Sequence, residues 1–198
     1  MPVTRLNLPL LATLALLGAC AITGPGLNSD MIRDSFGSYG VDILRSDETL
    51  RVSSLYSGNG DSKTTRTYAV VDFTGRSAAL IAAEHRTIVS GSSIGTTFRD
   101  AGWVIRKQHL FIGELEIPAS YGEIATLMRI ELPRTLATHQ YLFVISKGER
   151  SFSYATITEI HHPDYLSASQ LRMTYGEIVF DDTNRDSIHE FIGQPATK

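Results

Sequence analysis

The stretch Gln140–Ser146 constrains the fold more than any other part of the chain, because Tyr141, Phe143 and Ile145 are apolar and so are the intervening Leu142 and Val144. Successive side chains of a strand point to opposite faces, so a strand that is apolar at both parities has to be covered on both sides. Lys147, Gly148, Glu149 and Arg150 supply a turn, and Ser151–Ile160 reads as the returning strand. A sheet with this buried hairpin at its centre is the frame on which the rest must be arranged.

Before the hairpin, Val41–Leu44 and Leu50–Tyr56 read as short strands, with a tight reversal at Asn59-Gly60. Thr65–Phe73 then alternates, with Thr65, Thr67, Ala69, Val71 and Phe73 on one side and Arg66, Tyr68, Val70 and Asp72 on the other. From Ala78 the period changes. Ala78–Val89 has helical composition, and Ser93 is placed to cap a second helix that aligns Ile94, Phe98 and Ala101 before Gly102. Trp103–Arg106 and His109–Leu115 read as two strands separated by Lys107 and Gln108, and Ser120 with Glu123 forms a capping box for a helix over Ile124–Ile130 that Pro133 stops. Ser167–Leu171 suits one helical turn, Arg172–Phe180 a last strand broken at Gly176, Thr183–Ile192 a terminal helix, and Gly193–Lys198 a fraying tail. The expected fold class is α+β: a mostly antiparallel sheet of meander and hairpin units covered by several short helices, forming one soluble domain over residues 31–198.

The N-terminus carries a different kind of signal. Arg5 precedes an apolar run from Leu8 to Leu17, too short to span a bilayer as a helix, and the small pair Gly18 and Ala19 leads to Cys20. Leu17, Gly18, Ala19 and Cys20 resemble the lipobox of bacterial lipoproteins. The resemblance implies a signal peptide over residues 1–19, cleavage before Cys20, and lipid attachment to that thiol. It also implies, with Ala21 following, placement in the bacterial envelope at the outer membrane facing the periplasm. Residues 20–30, with breakers at Gly24, Pro25 and Gly26, read as the lipidated end and a short tether. Cys20 is the only cysteine, so a disulfide within the chain is excluded, and lipidation would remove a thiol that is a liability in an oxidising compartment.

Charge narrows the function. The formal charge is −3 over the whole chain, one unit more negative once Arg5 leaves with the leader, which offers no basic field for nucleic acid. No dinucleotide, CxxC or Gly-x-Ser-x-Gly pattern is present, and Glu84-His85 lacks the i, i+4 spacing of a helical zinc motif. The main expectation is therefore a lipoprotein without enzymatic activity or cofactor, tethered to the membrane by its lipid. Its role would be structural or the binding of an envelope protein, peptide or polymer. The binding surface would use Arg66, Tyr68, Trp103 and Tyr154 beside the sheet and His161, His162, Asp164 and Tyr165 in the following corner. The rival expectation is a metal-dependent hydrolase built on Glu159–Asp164, with Glu159, His161 and Asp164 as ligand candidates completed by His85 or Glu84. His109, His139 and His189 read as scattered single histidines, and Asp182, Asn184 and Asp186 as a broken calcium-loop pattern.

Overall fold

In the computed structural model the described residues are 26–73, 75, 79–176, 178, 188, 189 and 192. The leader, Cys20, the calcium-like segment and the C-terminal tail lie outside them.

The fold is α+β. Six strands, β1 (Gly40–Ser46), β2 (Leu50–Ser57), β3 (Thr64–Asp72), β4 (Val104–Ile117), β5 (Arg134–Lys147) and β6 (Arg150–His161), form one sheet in the order β1-β2-β3-β6-β5-β4. Every neighbouring pair is antiparallel. The hairpin expected from the doubly apolar strand is β5-β6, with Lys147 paired to Arg150. Gly148 takes the first central position of the turn at φ 61°, a conformation that is strained for any residue with a Cβ.

Five helices flank the sheet: α1 (Asn28–Phe36), α2 (Ala82–Val89), α3 (Ile94–Asp100), α4 (Gly122–Met128) and α5 (Ala168–Tyr175). One face packs Val52, Tyr68, Val70, Phe111, Leu115 and Ile160 against Ile124 and Met128 of α4. The other carries two apolar clusters, one joining Val71, Phe143 and Ile157 to Ile88 and Phe98 of α2 and α3, the second joining Ile112 and Ala137 to Ile32 and Leu171 of α1 and α5. Among the described residues no helix is long and apolar enough to cross a membrane.

Three local readings are corrected. β4 is one strand, not two, because Lys107 and Gln108 sit on the sheet edge, where alternate polar side chains are tolerated, and a bulge at Leu110 absorbs the irregularity. Arg172–Tyr175 continues a helix, since Ser167 and Gln170 make a reciprocal capping box that starts α5. α1 begins at Asn28, within the stretch read as tether. Of the terminal helix expected over Thr183–Ile192, the described Ile188, His189 and Ile192 are helical, and both isoleucines are buried in the α4-side core.

Tyr68 ties α4 to the sheet: its hydroxyl donates to Glu123 Oε2 at 2.7 Å and accepts from Arg45 Nη2 at 2.9 Å. Tyr68→Phe keeps the ring and removes both bonds, while solvent still reaches the two charged partners. The expected loss is about 1 kcal/mol, read from urea denaturation midpoints at unchanged m.

Candidate metal centre

Between the two apolar clusters, the centre of the sheet carries polar side chains, against the rule that a covered face should be apolar. In the paired register Thr67 of β3 stands opposite His161 of β6, and Glu159 of β6 opposite both Ala69 of β3 and His139 of β5. Directly paired residues share a face, so His139, Glu159 and His161 meet under α1 and α5. His139 is 0 %, His161 1 % and Glu159 5 % exposed, so these groups have to satisfy one another or bind something.

One ligand atom from each of the three residues lies within 4.8 Å of the other two. The opposite heteroatom of each is already engaged. His161 Nδ1 is 3.0 Å from Thr67 Oγ1, and His139 Nε2 is 2.8 Å from His109 Nδ1. Asn28 donates through Nδ2 to Glu159 Oε1 at 3.0 Å and to Thr67 Oγ1 at 3.1 Å, while its Oδ1 accepts from the Tyr165 hydroxyl at 2.7 Å. The tautomers that put lone pairs on the facing atoms are those in which His161 donates through Nδ1–H to Thr67 Oγ1 and His139 through Nε2–H to His109 Nδ1. His139 Nδ1 and His161 Nε2 have no hydrogen-bond partner, and Glu159 Oε2 is 3.9 Å from His139 Nδ1. In that arrangement two imidazole lone pairs without partners face the Glu159 carboxylate, which also takes a hydrogen bond from the Tyr141 hydroxyl.

Three points within 4.8 Å of one another have a common point at most about 2.8 Å from each, so small side-chain shifts reach the 2.0–2.2 Å of zinc ligation. The imidazoles are in the right protonation state. Burial holds the His139 imidazole far below its usual range, with the positive charge of Lys107 and the neighbouring His161 and His109 acting the same way. His161 is pushed down to about 4, mainly by burial, with Glu159 opposing and Lys107 assisting. Both are therefore neutral at pH 7, as metal ligation requires. The His139 ring is clamped by His109 at 5.0 Å, Tyr141 at 4.7 Å and Tyr175 at 4.7 Å between centroids.

Glu159 also lines a cavity of about 90 Å³ between the sheet and the N-terminal ends of α1 and α3. That is room for about half a dozen waters. Gly95 shapes its rim, because a Cβ there would stand 2.8 Å from Leu27 Cδ2 and the Leu27 side chain would have to move.

The sequence-derived candidates divide sharply. Glu159 and His161 come together, whereas Asp164 points to solvent with a side chain 77 % exposed, and His85 bonds the Tyr154 hydroxyl at 2.8 Å on the far side of α2. His162 faces the other way, its Nε2 toward Met128 O at 3.1 Å and its Nδ1 accepting from the Asp164 amide at 3.0 Å. Tyr68, Trp103 and Tyr154 are buried core rings, Trp103 donating to Glu84 Oε1 at 3.2 Å. Arg66 is half-buried, bonded to Ser57 Oγ and stacked 3.9 Å over the Phe36 ring, and Tyr165 belongs to the Asn28 network. The ligand that sequence reasoning missed is His139. The expectation of a chain without catalytic chemistry is corrected by this cluster, a buried two-histidine, one-carboxylate set of the kind that holds a catalytic metal. Comparison with known families finds no family model that matches the chain, and comparison with curated proteins finds no match.

Proposed function

We propose that the chain is a metal-dependent hydrolase whose centre is His139, Glu159 and His161. The observation that carries the reading is the convergence of two unpartnered imidazole nitrogens on the Glu159 carboxylate, in a set oriented by Thr67, His109, Asn28 and Tyr141. Outer hydrogen bonds of this type fix ligand orientation and raise ligand basicity. Three protein ligands leave an open position for water, and a zinc-class ion lowers the pKa of such a water to about 7. A metal held by His139, Glu159 and His161 would supply Lewis-acid activation of water for hydrolysis at the carbonyl or phosphoryl centre of a small substrate. The cavity wall formed by Glu159 is where such a substrate would stand, and its size suits a small molecule better than a polymer.

Purification without a metal-affinity tag, followed by elemental analysis and titration with Co²⁺, tests the reading. Near-stoichiometric metal and a cobalt visible spectrum of low coordination number are expected. No retained metal and no cobalt binding at micromolar concentration would remove the basis for the proposal. The N-terminal address remains part of the same picture: cleavage before Cys20 and lipid attachment would hold this domain at an envelope membrane. An intact mass from the membrane fraction that begins at Cys20 and exceeds the peptide mass by acyl chains would support it, and an unmodified Met1 chain in the cytosol would overturn it.

A further inference from the structure

The cavity next to the metal centre has a charge pattern of its own. Its lining holds three charged side chains, Arg51, Lys107 and Glu159, so two cations face one carboxylate. Glu159 is already committed to Asn28 and to the histidine cluster. Neither cation has a carboxylate partner among the described residues.

Lys107 Nζ is buried and makes no hydrogen bond. It lies 4.5 Å from the Tyr141 ring centroid and 5.3 Å from that of Tyr175, contacts that attract the charge, and the Tyr175 hydroxyl interacts with the ammonium without reaching full hydrogen-bond geometry, so its three N–H groups are short of acceptors. Arg51, only 3 % exposed, is held by Nε to Ser53 Oγ at 2.9 Å and by Nη1 to the Ile88 and Ser92 carbonyls at 3.1 and 2.6 Å. Those bonds orient the guanidinium and leave Nη2 without a bond to the described residues. The two cations stand on one face of the sheet, on β2 and β4, four strand spacings or about 19 Å apart at the backbone, and both side chains line the one cavity. α1 adds a third positive element, because its N-cap Leu27 supplies no side-chain cap and Asn28 and Ser29 line the cavity.

We infer that this cavity binds a small oxyanion, a carboxylate or phosphate group of the substrate, between Lys107 Nζ and Arg51 Nη2 beside the metal centre. This names the substrate class for the metal-dependent reading and rests on that reading for its catalytic meaning. The anion supplies the acceptors that Lys107 lacks, and it separates the Lys107 charge from a cation bound at His139 and His161. A buried charge without a partner is costly, and an oxyanion partner removes that cost.

Inorganic phosphate is the probe. It is titrated calorimetrically into the full chain both as metal-loaded protein and after chelator treatment, with the metal content of each sample measured. Saturable binding is expected in both forms and should be tighter when metal is present. Lys107→Met is expected to weaken it by about tenfold or more in both, while Lys107→Arg stays within a few-fold of wild type. If Lys107→Met fails to fold, the Arg51 Nε–Hε resonance of the wild-type chain gives an independent readout, since phosphate at Nη2 should shift it. Absence of phosphate binding in both forms, binding unaffected by Lys107→Met in a folded variant, or an unmoved Arg51 resonance would each overturn the inference. Phosphate binding that depends on Lys107 in a chain retaining no metal would keep the anion site and defeat the hydrolase reading. Stoichiometric metal without phosphate binding would do the reverse.

Discussion

Glu159→Gln is expected to abolish metal binding while making the metal-free protein more stable. In the wild-type chain without metal, His139 Nδ1 and His161 Nε2 stand without hydrogen-bond partners beside the Glu159 carboxylate, in a buried site. Glutamine keeps an oxygen to accept from Asn28 and places an NH₂ group toward the two imidazoles, giving their unpartnered nitrogens a donor. Satisfying a buried acceptor is worth about 1 kcal/mol. That corresponds to a rise of about 2–4 °C in Tm for a chain of this size. Metal affinity moves the other way. Loss of an outer-shell partner alone costs about 10–100-fold, so loss of the one anionic ligand should exceed about 100-fold. Melting curves with chelator and with added Zn²⁺, run on both proteins, read the two effects together. A variant that is destabilised without metal, or that still gains stability from Zn²⁺ as wild type does, contradicts the assignment. Opposite signs at one position separate a site kept for function from a site kept for stability.

Why His139 looked like a stray residue follows from a single bulge. Counting back from the Lys147-Arg150 turn in strict register sets His139 opposite Thr158, which would leave Glu159 and His161 on the other face of the sheet. In the structure Phe143 pairs with Ala155 and Val144 with Ser153, so Tyr154 is an extra residue and all pairs beyond it shift by one. That shift sets His139 against Glu159. The sequence contains the strands, the turn and all three candidate ligands, but no local feature near Tyr154 announces the extra residue. Asp164 failed as a ligand for the complementary reason: the strand ends at His161 and the chain turns outward at Pro163, so proximity in sequence does not become proximity in space.

Side-chain caps were an uneven guide to the helices: the Ser120–Glu123 box expected for α4 does not form, since its N-cap is Tyr121 with no side-chain cap, whereas the Ser167–Gln170 box at α5 does. Ser93 caps α3 through a 3.4 Å contact to the Thr96 amide, and α2 ends in Ser90-Gly91 as its composition implies. α1 has Leu27 as its N-cap and follows directly on Gly24-Pro25-Gly26, so breakers and a missing cap concealed a helix whose Asn28 organises the site. The aromatic candidates show the limit of composition from another direction. Tyr68, Trp103 and Tyr154 carry polar atoms that suggest a binding surface, yet each hydroxyl or indole N–H finds a partner inside the protein, which permits burial.

Acid should unfold this protein earlier than its carboxylates alone require. A histidine whose pKa is lowered by folding binds its proton more readily in the unfolded chain, so stability falls as pH drops below the unfolded value of about 6.5 and levels off below the folded value. For His161 the window runs from about 6.5 to about 4, and the loss across it is about 3 kcal/mol. His139 shifts in the same direction and further, and the lowered values of His109 and His162 have the same sign. A total near or above 3 kcal/mol is a large part of the 5–15 kcal/mol that usually holds a domain together. Urea midpoints measured with chelator at pH 7.5, 6, 5 and 4.5 should therefore fall steadily through the series. His161→Gln removes one of the titrating groups and should flatten that decline by about one proton's worth of slope. Bound metal adds to the effect, since protons compete with it for the same nitrogens, so Zn²⁺ should stabilise strongly at pH 7.5 and little at pH 5. Stability that stays level from pH 7.5 to 5 in the metal-free chain would mean that these imidazoles take up protons without disturbing the fold, and that the site is more open to water than its burial implies.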